Sequence, residues 1–235
     1  MSVWAAKRFW KAASVVQLES GYTVHLDGRA VKTPAKNPLI LPTRQLANMI
    51  AAEWDAQTGK VNPETMPMTR RANSALEKVA PNRSAVIAEL AGYGASDLLC
   101  YRSHSPAELV ARQAAGWQPW LNWAARDLAA PLHVTAGIVH VTQPAESLSN
   151  LQAHVAAFDA FALAGLHDLV AITGSLVLGL AMAKGHLSPD DGFAISRIDE
   201  IWQAEQWGVD ETAAALESAK AAALRDAHRF LAACA

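Results

Sequence analysis

Hydrophobic and polar positions follow two different rhythms along this chain. Ser14 to Leu18 is β-branched and apolar and ends at Glu19-Ser20-Gly21, a turn signal. Tyr22-Thr23-Val24-His25-Leu26 alternates at period two, the spacing that sends successive side chains to opposite faces of a strand. Asp27-Gly28 follows, and an Asp-Gly pair between strand-like runs predicts a tight hairpin whose central residues both take positive φ. Arg29 to Thr33 reads as the return strand. Pro34 and Pro38 interrupt it, and Leu39-Ile40-Leu41 reads as another short strand.

From Thr43 the period lengthens to that of a helix. Thr43 caps a helix carrying Leu46, Met49, Ile50 and Trp54 on one face, with Gly59 as its stop. Helices are predicted near Thr69–Val79 and Pro81–Ala91, and an extended link at Asp97–Arg102. Ser105-Pro106-Ala107-Glu108 has the form of a capping box with Pro at the first helical position. Pro119 is expected to bend or split the helix that follows, near Gly116. Leu132 to Val141 reads as extended. Pro144 opens a helix carrying Leu148, Leu151, Val155, Phe158 and Phe161, and Gly165 separates it from the apolar run Leu169–Ala183, which reads as one buried helix. Ser188-Pro189-Asp190-Asp191 repeats the capping signature, Gly208 ends the helix that follows, and Asp210 caps the last one.

The fold class expected from this order is α+β. A small antiparallel β-rich N-terminal domain is set at residues 1–67, with a boundary open as far as 104, and a larger mainly α-helical C-terminal domain covers 68–235.

Composition narrows the function classes. The 20 basic and 22 acidic residues leave a net charge of -2, and no basic stripe of the kind nucleic acid selects is present. The run from Leu169 to Ala183 is shorter than the roughly 20 residues that span a bilayer, so no membrane insertion is expected. Met1 to Trp10 carries only Lys7 and Arg8 and no apolar core, so it does not read as a secretory signal. The two cysteines, Cys100 and Cys234, give no disulfide framework, which fits a reducing compartment such as the cytoplasm.

Catalytic signatures fail at identifiable atoms. No His-Glu-x-x-His or Cys-x-x-Cys spacing occurs, so no metal site is expected, and His133 and His140 fall on opposite faces of an extended segment. Gly174-Ser175-Leu176-Val177-Leu178-Gly179 imitates the front of a phosphate-binding loop, but Leu180-Ala181 stands where Lys and a hydroxyl are needed. Ser175 is not in a nucleophile elbow. His167-Asp168 could orient an imidazole, but the two sit at the start of a buried helix, and a solvated helix-start pair is the plainer reading. No catalytic residue and no cofactor follow from the sequence.

Two features exceed background. The chain has eight tryptophans, a residue type enriched at protein interfaces, although core packing accounts for any one of them. The segment Asp199 to Gly208 combines acids with Trp202 and Trp207. As a helix it sets Ile198, Ile201, Trp202 and Glu205 near one side and points Asp199, Glu200, Gln203 and Gln206 elsewhere. Such a patch suits docking to a basic surface, and a solvated helix face is the plain alternative.

Several segments together resemble one family. They are Leu26-Asp27-Gly28-Arg29 with Lys32-Thr33-Pro34-Ala35, Leu41-Pro42-Thr43 with Ala52-Glu53-Trp54-Asp55-Ala56-Gln57, and Met66-Pro67-Met68-Thr69 with Ala72-Asn73. Ser96-Asp97-Leu98-Leu99-Cys100-Tyr101-Arg102, Gly174 to Leu178, and Asp199-Glu200 through Trp207-Gly208 complete the set. Their order resembles the assembly chaperones of ATP synthase that bind the free alpha subunit of F₁-ATPase, found in mitochondria and some bacteria. Arg71, where an apolar residue is usual, and Glu77, where Asp is common, depart from the pattern.

The resemblance implies a β-rich domain before a helical one, no enzymatic activity and no cofactor. It implies the alpha subunit of F₁-ATPase as partner, a monomeric protein, and a cytoplasmic location in a bacterium or the mitochondrial matrix in eukaryotic relatives. Family precedent for acids in the late helix falls on Glu200 and Glu205, and Asp199, Trp202 and Trp207 complete the expected partner-binding site. Two other readings stay open: a small-molecule enzyme using His167 and Asp168 or another pair in a helical pocket, and a permanent structural subunit of a complex.

Overall fold

Asp27 and Gly28 both take positive φ, 47° and 82°, and so form the hairpin turn that their sequence predicts. The computed structural model describes residues 7–208 and 210–235, so Trp4 lies outside the described residues. The turn joins strands β2 (Gly21–Leu26) and β3 (Arg29–Ala30), and β1 (Ala13–Leu18) pairs antiparallel on the other edge of β2, with Val15 opposite Val24. The return strand is shorter than expected. Beyond Ala30 the Val31 N–H still bonds to the Val24 carbonyl at 2.8 Å, and the chain then turns back on itself through a bridge between Lys32 and Pro38. Leu39–Leu41 contributes a single bridge, Tyr22 to Leu41, rather than a strand.

Thr43 caps helix α1 (Arg44–Asp55) by accepting the Leu46 N–H at 3.1 Å. The helix ends at Asp55, before Gly59. Helix α2 (Pro67–Ser74) starts on a borrowed cap: the Glu53 carboxylate accepts the N–H groups of Met68 and Thr69 at 2.6 and 2.8 Å. A π turn at Ala75–Val79 and a 3₁₀ turn at Ala80–Asn82 lead directly into α3 (Arg83–Gly92). Glu77, one of the two departures, accepts the Ala35 N–H at 2.7 Å and ties the loop after β3 to this turn.

The remaining elements are β4 (Tyr101–Arg102), α4 (Ala107–Asp127), β5 (Thr135–Ala136), parallel to β4, α5 (Ala145–Ala156), α6 (Ala160–Thr173), α7 (Leu176–Ala183), α8 (Pro189–Ser196), α9 (Ile198–Trp207) and α10 (Glu211–Ala233). The fold is α+β, with its antiparallel sheet at the N-terminal end of the chain and helices dominating the rest.

The chain divides into two compact units. The first takes the chain through Arg83 together with Ala160–Gly165 and Arg229–Ala235; the second is Ser84–Asp159 with Leu166–His228. The first unit packs β1–β3 against α1 around Trp10, Leu39, Leu41, Leu46 and Ile50, with Trp54 edge-on to Trp10 at 5.2 Å between ring centres. The second buries Trp117, Leu121, Leu151, Leu166, Leu169 and most of α7. No helix among the described residues is long and apolar enough to cross a membrane.

Four local expectations are corrected. Ser105 does not cap α4; Pro106 has ψ 164° and is itself the residue before the helix. Pro119 neither splits nor ends α4, because it faces solvent and the Ala115 carbonyl it deprives of a donor is at an exposed position. Gly165 lies inside α6, and α5 stops at Ala156, short of Phe158 and Phe161. The apolar run Leu169–Ala183 is two helices. Gly174, at φ 70°, stops α6, and Ser175 starts α7 by accepting the Leu178 N–H at 3.1 Å.

Candidate partner-docking site

The site expected from the sequence lies on α9, and its placement begins one residue earlier. Ser188 caps α8 as predicted, accepting the Asp191 N–H at 3.1 Å. At Arg197 the backbone leaves the helix, with φ -110° and ψ 18°, so α8 and α9 are separate helices rather than one. Gly208, at φ 92°, ends α9 as expected, and Asp210 accepts the Ala213 N–H at 2.8 Å at the start of α10.

The Arg197 side chain occupies the junction. It donates to the Ile172 carbonyl in the last turn of α6, where a cation complements the helix dipole. It also donates to Glu200 Oε1 at 2.9 Å and lies over the Phe193 ring at 5.5 Å. These contacts fix the first turn of α9.

The five expected residues separate into two directions. Asp199, Trp202 and Glu205 face α4. Asp199 accepts from Gln113 Nε2 at 2.6 Å, Trp202 is buried to 7% exposure, and Glu205 takes the Arg112 guanidinium at 2.7 Å. The same guanidinium sits 4.8 Å from the Trp202 ring centre, a cation–π geometry. Gly116 admits this packing, since a Cβ there would meet Ile198 Cδ1 at 2.5 Å. Trp117 anchors the same side by donating its Nε1–H to the Ile195 carbonyl at 2.8 Å.

Glu200 and Trp207 face the other way. The Glu200 side chain is 49% exposed and Trp207 is 78% exposed. Ile201, expected beside Trp202, lies on this open side instead. Two cavities adjoin it, and both are lined by Arg197 and Glu200. One of about 460 Å³ reaches Leu98 and Gly174, and one of about 640 Å³ runs to Trp207 and α10. Glu200 therefore stands on the ridge between them.

Sequence reasoning missed Arg112, Arg197 and Glu217. The i,i+3 pair Arg197–Glu200 and the i,i+3 pair Glu217–Lys220 were readable as helix-surface pairs. Arg112 with Glu205, 93 residues apart, carried no local signal.

The other candidate chemistry resolves differently. His167 lies in the middle of α6, its Nδ1 3.5 Å from Asp168 and its Nε2 3.7 Å from Glu89. The hydrogen bond to Asp168 holds its pKa above the ordinary value. Neither His167 nor Asp168 lines either cavity beside α9. Cys100 is fully buried, and burial pushes its thiol pKa up to about 12, so the thiolate nucleophile is suppressed. His133 and His140 turn to different partners, the Thr142 carbonyl and the Tyr101 hydroxyl.

The family model for the ATP12 chaperone protein matches residues 7–125. The chain belongs to the ATP12 chaperone family. Its fold is similar to the crystal structure of Atp12 from Paracoccus denitrificans, at 48% identity over 98% of this chain and 99% of that one, with a TM-score of 0.95. A protein of Agrobacterium tumefaciens is similar over 97% of this chain and 85% of its own, at 40% identity and a TM-score of 0.93. Among curated proteins, the mitochondrial protein atp12 of Schizosaccharomyces pombe is 23% identical over 219 residues, covering 88% of this chain and 75% of its own. The family match ends in α4, so α9 is reached by the structural and full-length comparisons alone.

Proposed function

We propose that this chain is a non-catalytic assembly chaperone that holds the unassembled alpha subunit of F₁-ATPase until the beta subunit joins. The observation that carries the reading is the open face of α9 in a member of a chaperone family. There an exposed carboxylate, Glu200, and a largely exposed tryptophan, Trp207, lie on one short rigid helix.

The physical task is definite. An orphan subunit exposes an apolar interface that its partner later covers, and such patches aggregate. A protein that occupies the patch and then yields to the native partner needs an apolar contact for affinity and charges for orientation. Trp207 and Ile201 supply the first and Glu200 the second on the open face, while Glu205, 44% exposed beside Arg112, adds a charge at the edge next to α4. Asp199 and Trp202 act through the packing of α9 on α4 and hold that face in place. The protein works as a monomer in the bacterial cytoplasm, the compartment in which alpha subunits are made. Two of the similar structures are of bacterial proteins.

The test is capture of alpha subunit from the same cells by wild-type and Glu200→Lys protein. Wild type retains the subunit and purified beta subunit displaces it, while the charge reversal lowers capture at least tenfold. Equal capture by both proteins removes Glu200 from the site. A fixed one-to-one presence in finished ATP synthase marks a permanent subunit instead.

A further inference from the structure

Helices α8, α9 and α10 enclose the groove of about 640 Å³ beside Trp207. Phe193, Ile201, Ala204 and Trp207 line it from α8 and α9, and Ala213 and Ala214 from α10. The charges around this apolar trough are unbalanced. Four carboxylates line it, those of Asp190, Glu200, Asp210 and Glu217, against the two guanidiniums of Arg197 and Arg225.

Both guanidiniums are engaged from within. Arg225 Nε donates to Asp190 at 2.6 Å and Arg197 Nη1 to Glu200 at 2.9 Å. Asp210 is occupied in capping α10. Glu217 is paired twice: its Oε1 accepts from Lys220 at 2.6 Å, and its buried Oε2 lies 3.8 Å from Arg197 Nε. Glu200, 49% exposed, is the carboxylate that an incoming cation can reach.

We infer that this groove seats a client segment presenting a large apolar side chain with a Lys or Arg within one helical turn of it. The apolar group lies between Trp207 and Ala214, and the cation reaches Glu200. The inference rests on the reading of α9 as the client face and adds to it the chemistry of what docks there. The excess of carboxylates excludes an acidic segment, and the apolar lining excludes one that is merely basic.

The experiment uses the full chain and two synthetic amphipathic peptides with identical apolar positions, one with Lys and the other with Glu at its polar positions. Binding is read from the Trp207 indole resonance, assigned with Trp207→Phe. The Lys peptide is expected to bind and the Glu peptide to leave the resonance unmoved. Glu200→Gln weakens the Lys peptide about tenfold. Ala214→Trp and, as a second blocking variant, Ala213→Trp abolish its binding; both positions are exposed, so each fills the groove without disturbing the core. Equal binding of the two peptides, binding of neither, or full binding by both blocked variants overturns the proposal.

Capture of purified F₁ alpha subunit separates this inference from the function it rests on. If wild type and the blocked variants capture the subunit equally, the groove is not the seat while the partner stands. If wild type captures none but the Lys peptide binds in the expected pattern, the partner is wrong and the groove's chemistry stands.

Discussion

The Asp97 carboxylate accepts the Val177 N–H at 3.1 Å across 80 residues of chain. It also takes the Leu99 N–H at 3.1 Å, with the Ser175 hydroxyl and the Leu176 N–H completing its partners. Val177 is in the first turn of α7, so this carboxylate occupies the place at a helix N-terminus where a bound phosphate sits in nucleotide-binding proteins. The Gly174–Gly179 segment has the backbone of such a site, but an internal anion fills it. Asp97→Ala strands several buried N–H groups at once and is expected to destabilise the protein by about 2–4 kcal/mol, since each orphaned donor costs about 1–3 kcal/mol. Urea unfolding checks this, and an unchanged midpoint rejects the capping role.

The same carboxylate gives the second unit a pH dependence. Burial raises the Asp97 pKa from 3.8 to about 6, against the lowering effect of its hydrogen bonds. The folded state therefore holds the proton more tightly than the unfolded one. That contribution to stability is full below about pH 4 and is lost as pH rises through about 6. His167, whose pKa is also raised, acts in the same direction at higher pH, its contribution disappearing as pH rises through its folded value. Unfolding free energies of wild type and Asp97→Asn measured between pH 4 and 7 should converge as pH rises. Parallel curves would show that Asp97 does not titrate in this range.

Gly179 on α7 and Val170 on α6 define the closest approach of these two helices. A Cβ at Gly179 would lie 2.5 Å from Val170 Cγ2 and 3.4 Å from the Val170 backbone nitrogen. Gly179→Ala is expected to cost about 1–3 kcal/mol, the range for overpacking a dense core. Val170→Ala alone also destabilises, by leaving a cavity. In the double variant part of the two losses should cancel, because the second change removes the atom that the first one strikes. Thermal melts of the four proteins form the cycle, and strictly additive losses refute a direct clash.

What was legible in the sequence was local. Thr43, Ser188, Gly208 and Asp210 act within three or four residues of themselves, and each stops or starts a helix where its type predicts. The hairpin at Asp27-Gly28 is local in the same way. Gly174-Ser175 was also readable, as a helix stop followed by a helix cap, but the apolarity on both sides concealed the break. Pro119 misled in the opposite sense, because its cost depends on whether water reaches the Ala115 carbonyl, which spacing does not reveal. The geometry of the late-helix site was least legible. Which acids turn toward α4 and which toward the groove is decided by Arg112, Gln113 and Arg197, and those partners lie outside the α9 segment. The kink at Arg197 depends likewise on the Ile172 carbonyl, 25 residues back.

Stability and client capture should separate at Glu205, and this decides how α9 variants are to be read. Its ion pair with Arg112 lies at the surface, with both side chains near 45% exposed, 44% and 46%. Pairs of that kind contribute about 0–1 kcal/mol, screened by salt. Glu205→Gln is therefore expected to leave the melting temperature within about 2 °C of wild type, a shift corresponding to about 0.5–1 kcal/mol in a chain of this size. Trp202→Ala, by contrast, removes a buried aromatic from the contact with α4 and should cost about 3–5 kcal/mol. Lost capture in Trp202→Ala thus reports only that α9 has come loose. Lost capture in Glu205→Gln or Glu200→Gln, at an unchanged melting temperature, reports contact with the client. If all three variants lose capture only in proportion to their loss of stability, α9 is scaffold, and the docking face lies elsewhere on the molecule.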